Sequence, residues 1–149
     1  MADTCRASDV SQASILLIED EALIRMMLVE MVEELGHKVV AEAGRVDDGC
    51  SLAGIEQYDL AILDINLQGF NVQPVAEMVA GRGLPFFFLS GYGSDGVPNS
   101  FKSRPVLRKP CTPEELKRVI DSVLTRCLQI GASHQDGACA APPTFQSSR

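Results

Sequence analysis

The chain has 149 residues, 46% of them hydrophobic and 22% charged, with 20 acidic and 13 basic side chains for a net charge of −7. That is the length of one ordinary domain, apolar enough to bury a core and too balanced in composition to be collagen-like, low-complexity or wholly disordered. It holds no apolar run of about 18 residues to cross a membrane, no apolar stretch behind a basic start that reads as a secretory signal, and an overall charge opposite to that of a nucleic-acid binder.

Residues 1–13 are small and polar and read as a loose, disordered leader. Ile15-Leu16-Leu17-Ile18 is a continuous apolar run stopped by Glu19-Asp20-Glu21, the pattern of a strand buried on both faces. Leu23, Ile24, Met27, Leu28, Met31, Val32 and Leu35 then recur at helical spacing, and Gly36 stands where a C-terminal cap belongs. His37 to Ala43, around Val39-Val40, predicts a second strand, and Val46 to Ile55 a short helix weakened by Gly49 and Gly54. Leu60-Ala61-Ile62-Leu63 is a third buried strand running straight into Asp64, with a turn at Gly69. Val72 to Ala80 predicts a helix, where Pro74 is tolerable only in the first turn. Pro85-Phe86-Phe87-Phe88-Leu89 is a fourth strand. The Gly- and Pro-bearing stretch from Ser90 to Ser103 is expected to be a loop with at most a turn of helix, and Pro105-Val106-Leu107 is a short fifth strand. Thr112-Pro113-Glu114-Glu115 carries a capping box and a proline at the first helical position, and opens a last helix with Leu116, Val119, Ile120, Val123, Leu124, Cys127 and Leu128 on its buried stripe. Residues 129–149 lack periodicity and read as a disordered tail, so the expected organisation is a leader (1–13), one domain (14–128) and a tail (129–149).

The five cysteines (Cys5, Cys50, Cys111, Cys127 and Cys139) are odd in number and nowhere paired as CxxC, which speaks against a disulfide framework or a zinc site and for a reducing, cytosolic setting. His37 and His134 have no metal-spaced partner and are expected at the surface. Charge is unevenly divided: residues 1–77 hold 15 acids and 4 bases, residues 78–149 hold 5 acids and 9 bases.

Short apolar strands alternating with helices are the signature of a doubly wound parallel α/β sheet, whose functional site lies beyond the carboxyl ends of the strands. In this chain those ends carry Glu19-Asp20 (first strand), Asp64 (third), Ser90 (fourth) and Lys109 (fifth). Three carboxylates, a hydroxyl and an ammonium would share one rim, and carboxylates held so close repel and raise one another's pKa unless a cation sits among them. A hard divalent ion with oxygen ligands resolves the conflict, and an aspartate so placed can act as a nucleophile that forms an aspartyl phosphate. There is no Gly-x-x-x-x-Gly-Lys loop or Gly-x-Gly-x-x-Gly fingerprint, so nucleotide binding is not indicated.

Over residues 14–128 the chain resembles a receiver domain of a two-component response regulator, of the chemotaxis-Y-like kind. The resemblance rests on Leu-Ile-Glu-Asp-Glu at 17–21, Leu-Asp-Ile-Asn-Leu at 63–67 followed by Gly69, Phe-Leu-Ser-Gly-Tyr-Gly at 88–93, and Lys109-Pro110. It implies a flavodoxin-like (βα)5 fold with strand order 2-1-3-4-5. It also implies that Asp64 is the phosphoacceptor, that Glu19, Asp20, Asp64 and the Asn66 backbone carbonyl hold Mg²⁺, that Ser90 is the switch hydroxyl, that Lys109 contacts the phosphoryl oxygens, and that the bond to Pro110 is cis. The implied partner is a sensor histidine kinase or histidine phosphotransfer protein, with room for a weak homodimer, no direct contact with nucleic acid or membrane, and a cytoplasmic location.

Two departures from the family pattern matter. The aromatic switch residue expected three positions before the lysine is here Val106, and the Ser90–Lys109 segment is short and rich in Gly and Pro. Both resemble an alphaproteobacterial subgroup whose fourth strand carries Phe-Ala-Thr-Gly followed by Tyr or Gly and Tyr, which directs attention to Tyr92 as the side chain that moves. The 21 residues after Leu128 show no pattern of a DNA-binding unit, so a stand-alone, non-enzymatic receiver is expected. The alternative is a Mg²⁺-dependent phosphohydrolase of the haloacid dehalogenase type. Such enzymes place a second Asp two residues after the nucleophile, where this chain has Asn66.

Overall fold

The computed structural model describes residues 11–91 and 95–134, with side chains through residue 126. Among the described residues the elements follow the order β1 (Ser14–Ile18), α1 (Ala22–Glu34), β2 (Lys38–Ala43), α2 (Val46–Ile55), β3 (Leu60–Asp64), β4 (Asn66–Leu67), β5 (Phe70–Asn71), α3 (Gln73–Gly81), β6 (Phe86–Ser90), β7 (Val106–Arg108) and α4 (Pro113–His134), with a 3₁₀ turn at Asn99–Phe101 between β6 and β7. The parallel sheet has the order β2-β1-β3-β6-β7, which among sheet strands alone is 2-1-3-4-5. β4 and β5 form a separate two-residue antiparallel hairpin.

Alternation explains the continuous apolar strands. Leu16, Ile18, Ala61, Leu63, Phe86 and Phe88 face one side and pack under α2 and α3 against Ala53, Val75, Ala76 and Val79. Ile15, Leu17, Leu60, Ile62, Phe87 and Leu89 face the other side, where Leu28 and Val32 of α1 and Leu116 and Ile120 of α4 cover them. In the central strands β1, β3 and β6 both faces are buried, so none of them carries a charge before its carboxyl end. Each fully buried Leu, Ile or Phe contributes about 1.5–3 kcal/mol through burial, so two stacked cores hold the rim rigidly.

Helix ends follow their local signals. After α1, Gly36 adopts φ 93°, its N–H donates to Glu33 O at 3.0 Å and the His37 N–H donates to Val32 O at 3.1 Å. This paired closure needs a left-handed residue, which glycine supplies without a Cβ penalty. At α4 the Thr112 N–H donates to Glu115 Oε1 at 2.9 Å and the Glu115 N–H to Thr112 Oγ1 at 3.1 Å, the reciprocal box that the sequence predicts. In α3 the proline stands in the first turn, and the Gln73 N–H is capped by Asn71 Oδ1 at 2.8 Å.

Three expectations need correction. The last helix continues to His134, past the expected boundary at 128: once nucleated, a helix adds residues cheaply, so a stretch without apolar periodicity can still be helical. The leader is not loose up to residue 13, because Ala13 is buried and its carbonyl accepts the Lys38 N–H at 3.0 Å. His37 is buried rather than at the surface, because its Nδ1 accepts the Ala13 N–H at 3.0 Å and so joins the start of β1 to β2. Residues 1–10 and 135–149, and the His134 side chain, lie outside what is described. Cys50 and Cys111 are free thiols. No described helix is long and apolar enough to cross a membrane.

Candidate functional site

Parallel pairing brings the strand ends together. The register sets Asp64 opposite Leu89 and Ser90 opposite Arg108, so the residues that follow β1, β3, β6 and β7 meet on one rim. Glu19 is fully buried, and its N–H donates to Ala43 O at 2.9 Å, extending the β1–β2 pairing by one residue. Asp64 is 3% exposed, as is Ser90, whose carbonyl accepts the Lys109 N–H at 2.9 Å. That last bond brings the Lys109 side chain inward: its Nζ lies 3.2 Å from both Glu19 Oε1 and Asp64 Oδ2. The following Lys109–Pro110 bond is cis.

Backbone donors hold the carboxylates in place. Glu19 Oε2 accepts the Glu21 N–H at 3.1 Å. Asp20 Oδ2 accepts the Gln68 N–H at 2.9 Å, and Asp64 Oδ1 accepts the Asn66 N–H at 3.4 Å. The β4–β5 hairpin carries Gln68 at φ 55° into this bond, while Asn66 Oδ1 accepts the Gly69 N–H at 2.7 Å across the turn.

One carboxylate oxygen each from Glu19, Asp20 and Asp64 lie within 4.8 Å of one another. Burial, and then the Asp64 charge beside it, push Glu19 up to about 7. Burial also raises Asp64, with the Lys109 ammonium partly offsetting the effect. Burial by itself would lower Lys109, but the Asp64 and Glu19 charges outweigh it and hold the ammonium above its ordinary value. Three acids against one lysine leave an uncompensated negative charge, and every donor is a hard oxygen. That donor set fits a divalent cation of the Mg²⁺ type, which binds through one or two carboxylates and keeps further positions for water and phosphate oxygens. The cluster opens into a cleft of about 710 Å³ lined by Asp20, Asp64, Asn66, Ser90, Lys109 and Asn71 among others.

The structure therefore brings together Glu19, Asp20, Asp64, Asn66, Ser90 and Lys109, all singled out from the strand ends or the resemblance. Val106 lies elsewhere, half-buried on β7 opposite Phe88 and outside the cleft lining. Tyr92 falls outside the described residues. Sequence reasoning missed Gln68 and Asn71. The Asn71 Nδ2 donates to Gly96 O at 2.9 Å and ties the hairpin to the far wall of the cleft. The sequence signal was the Gln-Gly-Phe-Asn step after Leu67, a tight turn long enough to return a short strand.

Comparison with known proteins gives a consistent result. The family model for the response regulator receiver domain matches residues 15–121. The transcriptional regulatory protein PdtaR of Mycobacterium tuberculosis is 30% identical over 122 residues, which cover 79% of this chain and 60% of that protein; this chain thus spans less than two thirds of that relative's length. SdrG of Sphingomonas melonis Fr1, solved in solution, is 37% identical with a TM-score of 0.69, covering 78% of this chain and 99% of that one. The response regulator PhyR of Brucella abortus is 28% identical with a TM-score of 0.71, covering 86% of this chain and 55% of that one.

Proposed function

The chain belongs to the response regulator receiver domain family, and from that premise we propose that its cleft accepts a phosphoryl group on Asp64 in a two-component phosphorelay. The observation that carries this reading is the Asp64 carboxylate itself. It is nearly buried, ends a central strand, has a lysine ammonium at 3.2 Å and two more carboxylates beside it, and still faces an open cleft.

Asp64 is the nucleophile: a carboxylate oxygen forms the bond to phosphorus as the donor's phosphorus–nitrogen bond to a histidine breaks and the imidazole leaves. Little covalent chemistry is left for the protein beyond positioning and charge compensation. Lys109 supplies a fixed positive charge at the acceptor oxygen. Ser90, on the same wall, is the hydroxyl placed to donate to a phosphoryl oxygen. Glu19, Asp20 and Asp64, with the Asn66 backbone carbonyl, are the groups that would hold Mg²⁺. When bound, the ion supplies neutralisation of the charge that builds on the transferring group.

The donor in this reading is a histidine kinase or histidine phosphotransfer protein. Its docking surface is the start of α1, where Leu23, Met26 and Met27 are 71%, 62% and 46% exposed directly after Glu21 on the cleft wall. Exposed side chains of that size in consecutive turns offer an apolar face to a partner helix.

Incubation with acetyl phosphate and Mg²⁺ tests the assignment. We expect a single, base-labile phosphoryl mass gain on Asp64 that is absent from Asp64→Asn, whose circular dichroism spectrum is unchanged. Uptake by the Asn variant at the parent rate would refute the role of Asp64.

A further inference from the structure

The acid cluster needs something to hold its loop. Glu19 and Asp20 lie between β1 and α1, and a carboxylate set that repels itself will spread unless its backbone is pinned. Arg25, one turn into α1, reaches back to this loop. Its Nη1 donates to the Glu19 carbonyl oxygen at 2.6 Å, and its Nε lies 3.3 Å from Glu42 Oε1 on β2. The acceptor is the carbonyl of the peptide that joins Glu19 to Asp20. One guanidinium therefore ties the acid-bearing peptide, the helix and the edge strand together through two of its nitrogens, a fork that an arginine fits and a point charge does not.

Gly44 makes room for it. This glycine has no left-handed backbone angle to explain it. A Cβ there would instead lie 2.8 Å from Arg25 Nη1, 3.3 Å from the Glu19 carbonyl oxygen and 3.4 Å from Asp20 Cα. Space rather than conformation is what glycine supplies at 44: a Cβ there would push the arginine tip out of its present position and crowd the peptide it holds.

We propose that Arg25, oriented by Glu42 and admitted by Gly44, is a positioning residue for the Glu19–Asp20 pair, setting the geometry in which those carboxylates meet a divalent cation. Arg25 touches neither the cation nor the phosphoryl group and acts through the peptide between the two acids. The inference rests on the reading of the cluster as a Mg²⁺ site.

Mg²⁺ titrations of the full chain, followed by amide NMR shifts of Asp20 and Glu21, test it, with hydrogen exchange of the Glu21 and Gln68 amides measured in EDTA as a readout independent of the metal. Those two N–H groups donate to Glu19 Oε2 and Asp20 Oδ2, so they report the carboxylate positions directly. Arg25→Met should weaken Mg²⁺ binding about tenfold, the usual effect of removing a group that orients a ligand, and should speed exchange of both amides. Arg25→Lys should recover only part of the loss, since an ammonium reaches the carbonyl or Glu42 but does not fork between them. Gly44→Ala, which leaves Arg25 in the chain, should reproduce the Arg25→Met phenotype by displacing the fork, and keeps the test open should Arg25→Met fold poorly. Parent-like Mg²⁺ affinity and amide protection in Arg25→Met, or full rescue by Arg25→Lys, would overturn the proposal. A parent chain that binds no Mg²⁺ would instead remove the reading on which it rests.

Discussion

Replacing Glu19 by Gln should make the metal-free protein more stable, although it deletes half of a buried ion pair. Glu19 is fully buried, and burial together with the Asp64 charge pushes its carboxyl from the ordinary 4.5 up to about 7. That difference corresponds to roughly 3 kcal/mol of folding free energy lost when the group is ionised. Gln removes the charge but has only one oxygen, so it accepts from Lys109 Nζ or from the Glu21 N–H, not both. The lost bond costs about 1 kcal/mol. Lys109 keeps Asp64 at 3.2 Å, so no orphaned buried cation is created. The net gain is about 2 kcal/mol, a rise in Tm of roughly 5–10 °C for a domain of this size. The pH dependence has a definite sign. The folded carboxyl binds its proton more tightly than the unfolded one, so its contribution is fully present below about 4.5 and is lost as pH rises to about 7. The advantage of Glu19→Gln should therefore be absent near pH 4.5, grow to about pH 7 and level off above. Saturating Mg²⁺ should shrink or reverse it, because the parent then gains by mass action. Calorimetry at pH 5 and pH 8, in EDTA and in Mg²⁺, decides the matter: a variant no more stable than the parent at pH 8 in EDTA, or a gain equal at both pH values, would refute this account of the pocket.

Other outcomes follow from other parts of the molecule. Met26→Glu on the exposed start of α1 should slow phosphotransfer from a histidine-phosphorylated donor at least tenfold while leaving the rate with acetyl phosphate unchanged; equal slowing with both would mean that the cleft, not a docking face, was damaged. Burial lowers the pKa of His37, against the nearby Asp121, and its Nδ1 must stay unprotonated to accept the Ala13 N–H. Its contribution is present above about 6.5 and is lost as pH falls through the folded value, so the parent should lose Tm between pH 7 and 5.5 relative to His37→Asn, which keeps an acceptor but does not titrate. Arg82 Nη1 donates to Ala53 O at 2.7 Å and Glu56 O at 2.8 Å at the end of α2, and its guanidinium stands 5.1 Å from the Tyr58 ring centre. Arg82→Met should cost about 1–2 kcal/mol in denaturant unfolding with no change in Mg²⁺ affinity, since α2 ends at the opposite edge of the sheet from the cleft.

Much of this protein is written in local sequence. The central strands are continuous apolar runs because both of their faces are covered, and a run that ends in charge marks where coverage stops. Because every β-α step in such a sheet is traversed in the same sense, Glu19, Asp64, Ser90 and Lys109 had to reach one rim once their strands were recognised. The caps at Gly36 and Thr112 and the proline in α3 depend on neighbours within a few residues, so they too were legible. What the sequence could not supply was anything set by contacts between distant segments. His37 read as a surface residue because nothing within its own strand reveals the Ala13 amide that buries it. Gly44 follows the second strand with no local pattern to explain it, whereas its meaning is a missing Cβ beneath Arg25. The residues of α4 beyond 128 show no pattern, yet they continue a helix whose nucleus lies four turns earlier. The identity of the acidic residues was determined by sequence alone. Their electrostatics, a Glu19 that titrates near neutrality beside a lysine shared with Asp64, were decided only by the tertiary structure, because desolvation and Coulomb energy depend on distances between groups that lie 45 and 90 positions apart in the chain.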